Sequence, residues 1–380
     1  MKNWKILLVA ALFVAGCKKP YNPGVINSPN SYLVVEGTIN TNDVTTIKLS
    51  KTVNLSNAVT TNPVTNATLT VEGDNASSYA LSEQSGGVYT LSGVSFDNTR
   101  KYRLRIKTGN KEYVSDYEQA KVTPPIDSIG FTVTNKGISL YANAHDPNNN
   151  TRYYRFDYIE TWQFHSRYQS SYISNGDSIV SRTEDQMVYY CFGNNSSSTI
   201  LLGSTAKLSQ DVLYQTPITQ VESTSEKLET KYSILVHQYA LTADAYKFWV
   251  NLKKNTEQLG SIFDAQPSQI NGNIHNINDA SEVVVGYIST GTVQSKRIFI
   301  ANTQLPQTFI PAYPYECALD SEWYSHPKSG RNDVADVLIP KREIPVAAFG
   351  TIAIEGFTAS DIQCIDCTLR GTKQQPDFWK

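Results

Sequence analysis

Four cysteines in the body of the chain, Cys191, Cys317, Cys364 and Cys367, are the residues whose type and spacing most directly suggest chemistry. Cys364-Ile365-Asp366-Cys367 has the spacing of a zinc half-site or of a redox-active thiol pair. A tetrahedral zinc site would need all four thiolates to converge and stay reduced. A redox pair would normally open a helix after a strand, and nothing around residue 364 reads that way. In an exported chain an even number of cysteines reads first as disulfides, here with three connectivities open. Their purpose would be to pin a C-terminal segment that would otherwise fray.

The remaining candidates for reactive chemistry are sparse. The histidines at 145, 165, 237, 275 and 326 are widely separated, and none has a second His or Cys at helical ligand spacing. His237 alternates with apolar residues and reads as a satisfied, half-buried strand residue. Asp146-Pro147-Asn148-Asn149-Asn150 places oxygens at calcium-loop positions 1, 3 and 5, with Asp157 at position 12. Thr151 stands where the loop needs Gly, Asp157 replaces the bidentate Glu, and Arg152 and Arg155 add positive charge, so an Asp-Pro turn is the expectation. There is no HExxH, GxSxG, GxGxxG or Gly-rich phosphate loop. No metal, no cofactor and no enzymatic activity are expected. A glycosidase pair of carboxylates would leave no local trace, which keeps a glycan hydrolase as the weakest alternative.

From Arg152 to Phe164, Tyr154, Phe156, Tyr158, Trp162 and Phe164 recur at period two, interrupted by Glu160. Such a stripe serves either as the inner face of a sheet or as a platform on which sugar rings stack. Tyr153, Trp162, His165, Tyr168 and Tyr172 are the candidate glycan or partner contacts on the second reading.

The N-terminus carries an address. Lys2 and Lys5 precede the apolar run Ile6–Val14, too short for a permanent span, and Val14-Ala15-Gly16-Cys17 resembles a bacterial lipobox. Residues 1–16 are expected to be a lipoprotein signal peptide and Cys17 the lipidated first residue of the mature protein, anchored to a lipid bilayer by palmitate-type acyl chains. Each buried methylene contributes ~0.8 kcal/mol, so several chains hold such a protein at the membrane. Residues 17–31, rich in Pro, Asn and Ser, read as a tether.

The elements that must position these residues are mainly strands. Aromatics reach 11% with 23 Tyr, charged residues only 18%, and the net charge is −2. That balance lacks the basic footprint of a nucleic-acid binder. Short alternating runs such as Leu33-Val34-Val35-Glu36, Thr46-Ile47-Lys48-Leu49, Val88-Tyr89-Thr90-Leu91 and Tyr102-Arg103-Leu104-Arg105-Ile106, with Gly109-Asn110 as a hairpin turn, predict an immunoglobulin-like β-sandwich over 32–122. Thr123-Pro124-Pro125 marks the boundary to a larger β-rich domain over 126–380. That domain holds one clear helix, about 243–259, with Thr242 as N-cap, an apolar stripe through Ala245, Phe248, Trp249 and Leu252, and Gly260 at its end. The strand Tyr232–Tyr239 is expected to pair with Val283–Ile288 or with Lys296–Ile300, and Gly193–Thr199 reads as a polar loop.

An ordered set of short segments resembles the Bacteroidota outer-membrane lipoproteins grouped as domain of unknown function 4249. They are Leu33–Gly37, Tyr232–Val236, Ala245-Tyr246 with Phe248–Leu252, Gly260–Asp264, Gln266–Ser268, Gly272–Ile274, Cys364–Gly371 and Pro376–Trp379. The resemblance implies a non-enzymatic, lipid-anchored outer-membrane protein that serves as accessory or ligand-handling partner of a TonB-dependent receptor, with an oligosaccharide or peptide as ligand. A stand-alone glycan-binding surface lipoprotein is the alternative. Lys18, Lys19 and Pro20 follow Cys17 where the surface-export signal of such lipoproteins has acidic residues. The cell surface is preferred to the periplasmic face.

Overall fold

The computed structural model describes residues 31–53, 62–257 and 272–379. The expected signal peptide 1–16, Cys17 and nearly all of the expected 17–31 tether lie outside the described residues, as do Leu259, Gly260 and the family-like segments between 260 and 268. The fold is mainly β, with several sheets and one clear helix.

Alternation of apolar and polar residues builds the first sandwich. In Leu33–Asn40, Leu33, Val35 and Ile39 point inward, and in the antiparallel Thr45–Lys51 they meet Ile47 and Leu49. The opposite sheet contributes Leu69 and Val71 from Thr68–Gly73 and Leu104 and Ile106 from Lys101–Thr108. Lys101–Thr108 and Lys111–Ser115 form the expected hairpin around Gly109-Asn110.

Residues 32–122 do not complete this sandwich. Ile274–Asn276 adds to Lys111–Ser115 at the edge of one sheet, while Val284–Gly286 and Ser289–Gly291 run parallel to Leu33–Asn40 at the edge of the other. Ile274, Val284 and Ile288 are buried in the same core. This corrects the expected division into 32–122 and 126–380. The apolar face of Leu33–Asn40 and its open edge are satisfied by a segment more than two hundred residues downstream in the chain, which no local pattern announces.

A second sandwich follows the Pro124-Pro125 boundary. One sheet holds Ile126–Thr134, Gly137–Asp146 and Asp211–Glu222. The other has the order Tyr190–Ser196, Tyr153–His165, Lys231–Ala240, Val293–Ala301, with Leu201–Ser204 beside the first half of Tyr153–His165. Ile129, Leu140, Ile218 and Val221 pack against Tyr154, Phe156, Tyr232, Ile234 and Ile300. Three strands facing five, in this order, make an immunoglobulin-like arrangement as well. Of the two partners expected for Tyr232–Tyr239, the structure selects the strand containing Lys296–Ile300, because Val283–Ile288 belongs to the first sandwich. Gly193–Ser196, read as loop, extends the edge strand, where one polar face meets solvent.

The connection between the last two strands of this sandwich ties the molecule together. From Ala240 the chain enters helix α1 (Ala243–Glu257), capped by the Thr242 hydroxyl accepting from the Ala245 amide at 3.2 Å. It then supplies the three strands of 274–291 to the first sandwich and returns as Val293–Ala301. Beyond it, Asp320–Trp323, Gly356–Ser360 and Ile344–Phe349 form a small sheet. Two disulfides, Cys191–Cys367 and Cys317–Cys364, fasten this C-terminal region, with Cα separations of 5.7 and 5.8 Å. The two cysteines of the CxxC sequence therefore pair with different distant partners. Trp379 is buried against Phe192 and Phe299, and Phe378 lies over the Arg297 guanidinium.

Candidate functional site

The outer face of the Tyr153–His165/Lys231–Ala240 pair, the flank of α1 and the outward face of Leu33–Asn40 enclose a cleft. It consists of two adjoining cavities of about 690 and 680 Å³. Glu36, Arg155, Asp157, His237, Tyr239 and Trp249 line both, so they stand where the two join. Each volume falls in the range of small-ligand sites.

Strand register assembles the floor. Asp157 sits directly opposite His237, and Arg155 opposite Tyr239, all with side chains on the face away from the core. Directly opposed residues bring their Cβ atoms within roughly 5 Å. His237 Nδ1 meets Asp157 Oδ1 at 2.7 Å, and Arg155 Nη2 meets Asp157 Oδ2 at 3.4 Å. The Arg155 guanidinium is held between two rings, 4.1 Å from Tyr239 and 4.9 Å from Trp249. Helix α1 delivers Trp249 because Ala245 and Phe248 are buried against Tyr287 and Leu241, leaving Trp249 and Leu252 half-buried on the next face. Glu36, exposed, faces the floor from the first sandwich.

Burial alone would push the Asp157 carboxyl up, but the hydrogen bond from His237 and the charge of Arg155 together hold it below the ordinary aspartate value of 3.8. A depressed folded-state value gives stabilisation that is complete above the unfolded value and lost as pH falls through the folded one. Asp157→Asn is therefore expected to cost about 1–2 kcal/mol at pH 7. The difference from wild type should shrink below about pH 4. Urea midpoints of both proteins at pH 7 and pH 3 check this. A difference that does not change with pH would contradict the assignment.

Ser295 lies opposite His237 on the third strand, which gives the order Asp–His–Ser across the sheet. Among the described residues no hydrogen bond joins His237 to Ser295, and Ser295 sits on a regular edge strand with no strained turn behind it. A nucleophile–base pair is not assembled in this geometry.

The sequence-derived candidates are spread along the same long strand and past its end. Tyr153 packs on Tyr246 of α1, with ring centroids 4.8 Å apart. Trp162 covers Gly193 and donates to Glu226 at 3.2 Å with Lys227 over its ring. His165 stacks on Tyr189 and lies 3.4 Å from Glu229. Tyr168 donates its hydroxyl to the Cys317 carbonyl, and Tyr172 packs edge-on against Phe357. They form no common surface. Within the aromatic stripe Tyr154, Phe156 and Phe164 are core, and the intruding Glu160 is buried, bound to Lys227 at 2.6 Å and the Tyr232 hydroxyl at 2.7 Å.

The calcium-like loop is a turn. The Asp146 carboxylate accepts from the amides of Asn148, Asn150 and Thr151, each at 2.9 Å, while Asp157 stands in the cleft. Among the described residues no group of three or more His, Cys, Asp or Glu is gathered as for a metal. Sequence reading passed over the Arg155–Asp157–His237 cluster because its members are adjacent only through register. The available signal was polar residues at alternate positions on two otherwise apolar strands.

A family model described as "Domain of unknown function (DUF4249)" matches residues 18–297. It spans both sandwiches and ends before the segment carrying Cys317, Cys364 and Cys367, so the resemblance expected over nearly the whole chain is shown for those residues. No protein with a curated description matches the chain. Among solved structures, a two-domain fibronectin type III segment from chicken tenascin aligns with 9% identity over 56% of this chain and 93% of its own, TM-score 0.16. A structure titled for the manganese lipoxygenase of Gaeumannomyces graminis and partial zonadhesin of Komagataella pastoris aligns with 9% identity over 57% and 91%, TM-score 0.18. The BSP domain of a biofilm-associated protein aligns with 6% identity over 72% and 60%, TM-score 0.16.

Proposed function

This chain belongs to the DUF4249 family, and from that premise we propose that it is a non-enzymatic Bacteroidota lipoprotein, anchored in the outer membrane through Cys17, that handles a ligand beside a TonB-dependent receptor. The cleft at the seam of the two sandwiches carries the ligand-handling part of this reading: it presents a charged and aromatic cluster fixed by its own internal contacts. The lipobox-like Val14–Cys17 supports the anchor, and the sequence's lack of catalytic motifs supports binding over turnover. Lipid anchoring confines the protein to two dimensions and raises its effective concentration next to a receptor, so a modest protein contact suffices. The cell surface is the preferred face.

Cys17→Ser should move the protein from the membrane to the soluble fraction with its circular dichroism unchanged. Continued sedimentation with membranes would remove the anchor from this proposal. The partner is tested by gentle-detergent purification of the tagged lipoprotein from native outer membranes with mass spectrometry of what accompanies it. A stoichiometric TonB-dependent receptor is expected. A protein reproducibly alone would favour the stand-alone glycan-binding alternative.

A further inference from the structure

We propose that the seam cleft takes a neutral, linear oligosaccharide, an inference that rests on the ligand-handling reading above and names its ligand class. Shape is the first ground. Two adjoining cavities of about 690 and 680 Å³ share the Arg155–Asp157–His237 cluster in their walls, so the cluster lies between them. A ligand that fills both passes over that cluster with chain on either side.

The second ground is the kind of polar group on offer. Leu33–Asn40 is hydrogen-bonded along both edges, and so are Tyr153–His165 and Lys231–Ala240 in the floor. On these three strands an extended peptide finds no open ladder to join, and strand addition is the usual source of affinity for such peptides. The free strand edge beside the larger cavity is that of Val293–Ala301, so over the floor recognition comes from side chains. Asp157 accepts among three donors, Arg155, His237 and the Tyr239 hydroxyl, which puts acceptor and donors side by side at fixed spacing. A vicinal diol both donates and accepts at such spacing. The Arg155 guanidinium engages Asp157 and the Tyr239 hydroxyl, and with five N–H groups in its fork it keeps further donors for ligand hydroxyls.

Charge supplies the third ground. With Arg155 committed to Asp157, the remaining ionic groups lining the larger cavity are Glu36 and Asp43 against Lys48. The surplus carboxylate repels a polyanion and leaves Glu36, exposed and facing the cluster, as a second hydroxyl acceptor. Trp249 and Leu252 provide the apolar surface on which the carbon face of a sugar ring rests.

The test titrates the detergent-solubilised full-length lipoprotein with maltoheptaose, cellohexaose, xylohexaose, mannohexaose, tetragalacturonate and a hexa-alanine peptide, reading heats and tryptophan emission. At least one neutral oligosaccharide should bind. Its affinity should fall about tenfold or more in Trp249→Ala and in Glu36→Gln, and stay unchanged in Trp162→Phe. Trp249→Phe and the exposed Glu36→Gln keep the test decisive if Trp249→Ala misfolds. No binding by any of the four neutral sugars at millimolar concentration overturns the inference. So does tighter binding of tetragalacturonate or of the peptide, or loss of sugar binding only in Trp162→Phe. Co-purification separates the two levels: a receptor-bound protein that binds no sugar sinks this ligand class alone, and a sugar-binding protein with no receptor sinks the accessory reading alone.

Discussion

Replacing Cys191 and Cys367 together by alanine lowers the unfolding free energy by about 4 kcal/mol, the largest effect of any substitution pair considered. The bridge closes a loop of 176 residues, and the loss of unfolded-chain freedom grows with loop length. Removing the Cys317–Cys364 bridge, with a separation of 47, should cost less. The two bridges fasten a region whose own apolar clusters are small, Val334, Leu338, Phe357 and Ala359 in one and Ile344, Val346 and Ile365 in another. Without the longer bridge, this segment would be held to the second sandwich by Arg370 on Glu226, the His165 carbonyl and the Phe164 ring, by the Phe192–Thr372 backbone pairing, and by Trp379 and Phe378 on Phe192, Phe299 and Arg297. Denaturant unfolding of oxidised wild type and of both double variants measures the costs, and hydrogen exchange locates them. Equal stability of the longer-loop variant and wild type would show that the tail is held by packing alone.

A chain ending after Val122 does not form a stable first sandwich. Ile274, Val284 and Ile288 would be absent from its core, and each such side chain contributes about 1.5–3 kcal/mol when buried. Their loss is comparable with the whole stability of a domain of that size. Joining residues 272–292 to the fragment through a flexible linker restores cooperative unfolding. Within the full chain the same dependence is read by Gly286→Ala: Gly286 has φ +148°, and a Cβ there would stand 2.2 Å from the Val35 carbonyl oxygen of the neighbouring parallel strand. A cost of about 3 kcal/mol or more is expected, since strain and overpacking act together. A fragment 31–122 that melts cooperatively on its own would refute this account of the fold.

The cleft depends on the same crossing. Helix α1 brings Trp249, and Tyr287 just after the parallel strand packs on Phe248, so the segment that completes the first sandwich also braces the wall of the site. Ligand binding there would stabilise the seam as well as the cleft, and a weakened Val284–Gly286 pairing should weaken binding.

Much of this was legible from residue order alone. Alternation at Leu33–Asn40, Thr45–Lys51 and Lys101–Thr108, the Gly109-Asn110 turn and the helical stripe from Ala245 to Leu252 are local signals, written within a few residues of where they act. So was the even set of body cysteines as disulfides. The candidate contacts at Tyr153, Trp162, His165, Tyr168 and Tyr172 share an aromatic composition, yet composition does not say which surfaces meet. The structure distributes them among α1, the Glu226–Glu229 turn, the Cys317 carbonyl and Phe357.

The sequence by itself determined the strand-rich class, the helix and the oxidised state of the cysteines, because propensity, periodicity and redox chemistry act over short spans of chain. Tertiary structure alone decided which cysteines pair, that residues 274–291 return to the first sandwich, and that Asp157 faces His237. These are choices of register and partner among segments far apart in sequence. Side-chain spacing along one strand is compatible with many such partners, and only the simultaneous burial of both sandwich cores selects one.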